Sequence, residues 1–224
     1  LSEVALGSFP NKAITQLLHQ AGDRFMAADR RLIVSISGGH PYLLQVAAHE
    51  VWAAYSEGLD DAYARWKQAS TRVYDEAALT ISDIWRLWSP QVRMAFTAAA
   101  LPQMALDDRK FRERNLLDDL RDLGPELRML EKQGFVVQDE ETKAWRVRPL
   151  AFLWWLADEV VRSVRDEPSY EDWLQEQELA GLLTRAQKKE LGKATLAVGE
   201  MLQDGAKALI EVAARGAAGK MMGA

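Results

Sequence analysis

Along most of the chain apolar residues return every three to four positions, the spacing of helices that each bury one face. Ile14, Leu17, Leu18, Ala21 and Phe25 mark a helix over residues 11–26, with Asn11 as its cap behind Pro10. A short second helix over 29–37 is stopped by Gly38-Gly39. Pro41 opens a third, since a first-turn proline has no N–H to waste, and Leu43, Leu44, Ala47, Val51 and Tyr55 carry its buried face to Gly58. Residues 60–80 alternate charged and aromatic positions and predict a helix linking two modules.

The second module has a distinctive order. Helices are predicted over 85–100, interrupted at Ser89-Pro90, over 116–123, and over 125–133 with Gly134 as the stop. There the period falls to two. Phe135-Val136-Val137, a charged tip at Asp139-Glu140-Glu141, and Trp145-Arg146-Val147 predict a β-hairpin. Three helices followed by a hairpin make a winged-helix domain, with one more helix over 152–164 behind it. Trp85, Trp88, Trp145, Trp154 and Trp155 are expected to fill its core.

After Pro168-Ser169, the expected boundary, the composition shifts to Gln, Glu, Lys, Ala and Gly. Leu191, Thr195, Val198, Leu202, Gly205, Leu209 and Val212 alternate steps of four and three, and Gly216, Gly219 and Gly223 prolong the stripe. Such a seam wants a partner helix. Docking on the chain's own core and self-association are both open. A membrane-surface role is disfavoured by mixed charge on the polar face.

Composition narrows the chemistry. The 224 residues include no cysteine, which excludes disulfides, thiol nucleophiles and cysteine-ligated metals. Lys and Arg number 28 against 33 Asp and Glu, a net charge of −5 that argues against non-specific coating of nucleic acid. His19, His40 and His49 show neither HExxH spacing nor a Ser-His-Asp order, so no catalytic residue and no metal site is expected. The run over 150–161 is too short to span a bilayer and contains Asp158 and Glu159. A cytoplasmic protein without a membrane span is expected. The first residue is Leu1, which suggests a piece of something longer.

The sharpest segment is Ser35–Gln45, SISGGHPYLLQ, between FMAADRRLIV and VAAHEVW. It resembles the helical lid of the STAND branch of P-loop ATPases, nucleotide-switched signalling proteins related to AAA ATPases. In that family a Gly-x-Pro element follows the nucleotide-binding core, its Pro packing on adenine, and a winged helix comes next. The resemblance covers about residues 1–165. It implies a mainly α fold with a helical lid bundle over 1–60, a linker helix over 61–84 and a winged-helix domain over 85–165; the composition and stripe of the remainder add a C-terminal helical extension over 166–224. It also implies that Pro41 contacts adenine and Gly39 gives close approach, with His40 as a phosphate-side candidate. The cofactor implied is ATP or ADP, held with an ATPase domain upstream of Leu1; the partners implied are that domain and further copies of the chain on activation.

Two departures matter. A His near the end of the family's winged helix senses the β-phosphate; the corresponding stretch here is Arg146-Val147-Arg148-Pro149-Leu150, leaving Arg148 as the candidate for that charge. No GxxxxGK[ST] occurs, since Gly192-Lys193 and Gly219-Lys220 lack the glycine-rich loop and the Ser/Thr. A DNA-reading winged helix is the competing expectation, and it is disfavoured. Arg128 and Lys132 on the candidate recognition helix are offset by Glu126 and Glu131, and the wing tip is acidic apart from Lys143. The basic stretch is 107–114.

Overall fold

A computed structural model describes residues 7–20, 24–104, 122–163, 167–202 and 204–222. These form ten α-helices, a 3₁₀ turn and one two-stranded sheet. The first four helices are α1 (Asn11–His19), α2 (Ala27–Ser37), α3 (Pro41–Ser56) and α4 (Ala62–Leu87). They are followed by α5 (Pro90–Met104), α6 (Gly124–Gln133), β1 (Val136–Gln138) and β2 (Trp145–Val147). The chain closes with α7 (Leu150–Ser163), α8 (Glu167–Glu176), the 3₁₀ turn (Ala180–Leu182), α9 (Arg185–Met201) and α10 (Ala206–Met222). The fold is therefore mainly helical with a small antiparallel hairpin, in which Val136 pairs with Val147, Val137 with Arg146 and Gln138 with Trp145.

Several boundaries differ from expectation. α1 stops at His19, and Phe25 and Met26 belong to the approach to α2, where the Asp29 carboxylate accepts the Met26 N–H at 2.7 Å. Pro10, not Asn11, holds the cap position, its carbonyl accepting from Ala13 and Ile14. The 60–80 helix and the start of the 85–100 helix are one rod, α4, because Ala77, Ile81 and Trp85 continue a single buried stripe. The real break is Trp88-Ser89, where the Trp88 backbone turns extended ahead of Pro90. Most of the predicted 116–123 helix and all of the basic stretch 107–114 lie outside the described residues.

The C-terminal stripe is two helices rather than one. Gly205 adopts φ +55, and a Cβ there would collide with the Asp158 carboxylate, which accepts the Ala206 N–H at 2.6 Å. Leu191, Thr195, Val198, Leu202 and Leu209 are buried within the same chain, where α9 packs on α5 and α7, and α10 on α2, α4 and α7. Val212, by contrast, is exposed.

α4 is the axis of the molecule, packed on α3, α7 and α10. Buried apolar side chains from Ile14 to Ala214 form one contiguous cluster. At its centre Trp85, Trp88, Phe96, Phe135, Phe152 and Trp155 stack or meet edge to face, with Trp88 and Phe152 nearly parallel at 5.6 Å. Trp154 is buried too, while Trp145 is half-buried on the hairpin. Among the described residues no helix is long and apolar enough to cross a membrane.

Candidate functional site

The turn between α2 and α3 is built by two left-handed glycines, Gly38 at φ +57 and Gly39 at φ +80. Such backbone is costly for residues with a Cβ. Gly38 closes α2 by donating to the Val34 carbonyl at 2.8 Å, and the Gly39 N–H donates to the Ser37 hydroxyl at 3.2 Å. His40 is the N-cap residue of α3, its carbonyl accepting from Leu44 at 2.8 Å, and Pro41 takes the first helical position as its fixed φ favours.

Three separate stretches converge on this turn. Phe9 donates its N–H to the Gly39 carbonyl at 2.9 Å, which lays residues 7–10 across it as a strap. Ser8 fills the space that a side chain on Gly134 would occupy, and the Gly134 backbone is left-handed at φ +84. From the hairpin, Arg148 and Pro149 abut Gly38, so closely that a Cβ on Gly38 would lie 2.8 Å from Pro149 N and 3.1 Å from the Arg148 carbonyl carbon. Gly39, His40, Pro41 and Arg148, separated by more than a hundred positions, thus belong to one locality.

The electrostatics of this locality are uneven. The His40 ring is half-buried 6.0 Å from the Phe135 ring, and its Nδ1 is buried without a hydrogen-bond partner. Burial pushes its pKa below the ordinary value, holding the imidazole neutral. The Ser8 hydroxyl oxygen is likewise buried without a partner. Arg148 is half-buried; its N–H donates to the Phe135 carbonyl at 2.9 Å, and its guanidinium has no partner among the described residues. The site therefore holds two unused hydrogen-bonding atoms, a spare cation and a half-buried pyrrolidine. That set can recognise a ligand but contains no nucleophile paired with a base.

A groove of about 230 Å³ lies between α2, the start of α7 and α10, lined by Arg31 and Ser35 on α2, Leu150 on α7, and Ala213 and Gly216 on α10. None of Gly39, His40, Pro41 and Arg148 lines it, and its volume falls short of the roughly 300–1,000 Å³ of small-molecule pockets.

Sequence reading found the turn and Arg148 but missed Ser8, Phe9, Phe135 and Pro149. Gly134 stood out only as a helix stop, and its second role depends on a strap from the other end of the chain.

The hairpin tip is firmly acidic. Asp139 accepts from the Thr142 N–H and hydroxyl, both at 2.8 Å, and from the Glu141 N–H at 3.2 Å. These bonds, with Arg146 nearby, hold its carboxyl below the usual range, and Lys143 is fixed in a left-handed turn at φ +59. On α6, Arg128, Lys132 and Glu131 are all exposed beside the apolar Met129. No family model, curated protein or solved structure matches the chain.

Proposed function

We propose that this chain is the lid, winged-helix and C-terminal helical portion of a STAND-type ATPase and works as its nucleotide-dependent switch. In this reading residues 1–60 are the lid, 61–84 the connecting helix, 85–165 the winged helix and 166–224 a helical extension. The ATP or ADP is held with a P-loop domain outside these residues. Pro41 and Gly39 face adenine, and His40 and Arg148 stand on the phosphate side. The lid and winged helix hold the nucleotide domain closed with ADP and rotate as a unit after exchange, exposing a surface for oligomerisation and signalling.

The observation that carries the reading is the abutment of Gly38 on Arg148-Pro149. It joins the Gly-His-Pro turn to the hairpin's exit, so a ligand at one is felt at the other.

Calorimetric titration of ADP into the protein carrying both the P-loop domain and these residues is the test. Pro41→Ala is expected to weaken ADP about tenfold, the effect of roughly 1.4 kcal/mol of lost contact. Arg148→Ala should weaken ADP more than adenosine. Unchanged ADP affinity in Pro41→Ala would remove the adenine role.

A further inference from the structure

The strap crosses between two parts of the fold in three successive residues. Gly7 lies on the end of α6, where a Cβ on it would stand 3.3 Å from the Lys132 carbonyl oxygen. Ser8 fills the notch at Gly134: a Cβ on Gly134 would fall on the Ser8 hydroxyl and 2.9 Å from the Ser8 Cβ. Phe9 then donates its N–H to the Gly39 carbonyl at 2.9 Å, and its side chain packs on the core cluster. Gly39 and Gly134 are both left-handed, so a side chain could fill neither place without strain. The strap thus ties the end of α6 to the turn between α2 and α3, a second link beside the abutment of Gly38 on Pro149.

This second link is weakly held. Among the described residues, the bond from Phe9 to Gly39 is the one backbone hydrogen bond joining residues 7–9 to the rest of the fold. Against it stands the Ser8 hydroxyl, whose oxygen is buried without a partner. Water satisfies that hydroxyl whenever the strap lifts, so docking forfeits one hydrogen bond as it makes another. The strap also has a sharp end. The Pro10 carbonyl accepts from Ala13 and Ile14 and so belongs to α1, which the buried Ile14 and Leu18 hold to the core.

We propose that residues 7–9 are a releasable latch. Docked, they fix the α2–α3 turn to the end of α6; lifted about Pro10, they leave that turn tied to the hairpin through Gly38 and Pro149 alone. Segments with few buried contacts open by themselves, ahead of global unfolding, and release here loosens the turn while α4 stays intact. As the catch of the nucleotide switch the latch rests on the reading above. As an element that opens by itself it does not, and it is tested without nucleotide.

The test is amide hydrogen exchange of the 224-residue chain, read residue by residue by NMR. The Phe9 N–H is expected to exchange about tenfold or more slower than an unstructured amide, yet about a hundredfold or more faster than the buried Val73 and Ile81 of α4. Low urea should leave the Phe9 rate unchanged, because lifting three residues exposes little surface. Ser8→Phe, too large for the notch, should bring Phe9 to the unstructured rate and speed the Gly38 and His40 amides about tenfold, with Val73 and Ile81 unmoved. Ser8→Ala removes the unpaired hydroxyl and should slow Phe9 exchange. A Phe9 rate equal to that of an unstructured amide or to that of Val73, turn amides unmoved by Ser8→Phe, or faster Phe9 exchange in Ser8→Ala overturns the latch. None of these results bears on the ADP titration of Pro41→Ala, so the two readings fail separately.

Discussion

The carboxylate of Asp29 accepts the indole N–H of Trp66 at 2.6 Å, binding α2 to the N-terminal part of α4. Both side chains are fully buried. The other Asp29 oxygen accepts from the Tyr55 hydroxyl at 2.6 Å, and Arg65, also buried, stands 3.7 Å away with its guanidinium over the Tyr55 ring. Arg65 is held in turn by the Leu59 carbonyl at 2.9 Å. One buried anion thus satisfies donors from α2, α3 and α4.

Removing that anion leaves a buried guanidinium without its counter-charge, and such a change costs about 3–5 kcal/mol. Asp29→Ala is expected to lower stability by that amount in urea denaturation. Tyr55→Phe deletes one hydrogen bond and leaves the ion pair, so it should cost only about 1–2 kcal/mol. Equal losses in the two variants would show that the network is not organised around the carboxylate.

Glycine substitutions separate backbone strain from contact. Gly58 has φ +77 and open space where a Cβ would go, so Gly58→Ala should cost only the left-handed penalty, roughly 1–2 kcal/mol. At Gly38 the same penalty is joined by collision with Pro149, and Gly38→Ala should cost about 2–4 kcal/mol. Thermal melting of the pair measures the difference; identical shifts would deny the contact between the turn and the hairpin.

Asp158 on α7 should act as the anchor of α10. It caps the Ala206 N–H and accepts a short hydrogen bond from the Tyr74 hydroxyl on α4. Asp158→Ala should destabilise by about 2 kcal/mol and speed amide exchange in the first turn of α10 well ahead of α9. Uniform acceleration along both helices would argue that they are held otherwise.

Stability should fall at both ends of the pH range. Tyr55 is pushed up to about 12 by burial, by its hydrogen bond to Asp29 and by that charge. An unfolded tyrosine ionises near 10, so the stability this group contributes is intact below pH 10 and is lost as pH rises toward 12. Burial likewise pushes Tyr74 and Tyr170 upward. His40 works in the opposite direction: its folded pKa lies below 6.5, so its contribution is present above that pH and declines below it as the unfolded chain takes up the proton first. Urea midpoints across pH should flatten on the alkaline side in Tyr55→Phe and on the acid side in His40→Gln.

The helical character and the hairpin were legible because both depend on local pattern: Phe135-Val136-Val137 is a strand-favouring run, Val147 sits between Arg146 and Arg148, and Gly134 stops α6 as its position suggests. What the period could not show was continuity. The sequence divides into a linker helix over 61–84 and a second module from 85, yet Ile81 and Trp85 extend the stripe of α4 without a step. The opposite error arose at Gly205, which fits the four-three stripe as a small seam residue. In sequence the stripe runs through Gly205 without a step, whereas in the fold Gly205 is left-handed, a Cβ on it would collide with the Asp158 carboxylate, and Val212 beyond it is exposed. At the candidate site the turn was visible from Gly-Gly-His-Pro, whereas Ser8 and Phe9 carry no local signal because they contribute by tertiary contact alone.

That contact sets an order on biosynthesis. Ser8 cannot settle beside Gly134 until α6 and its terminal turn exist, and Gly38 has nothing to abut until the ribosome has passed Pro149. Residues 7–10 and the turn between α2 and α3 are therefore secured only after more than a hundred further residues have been made.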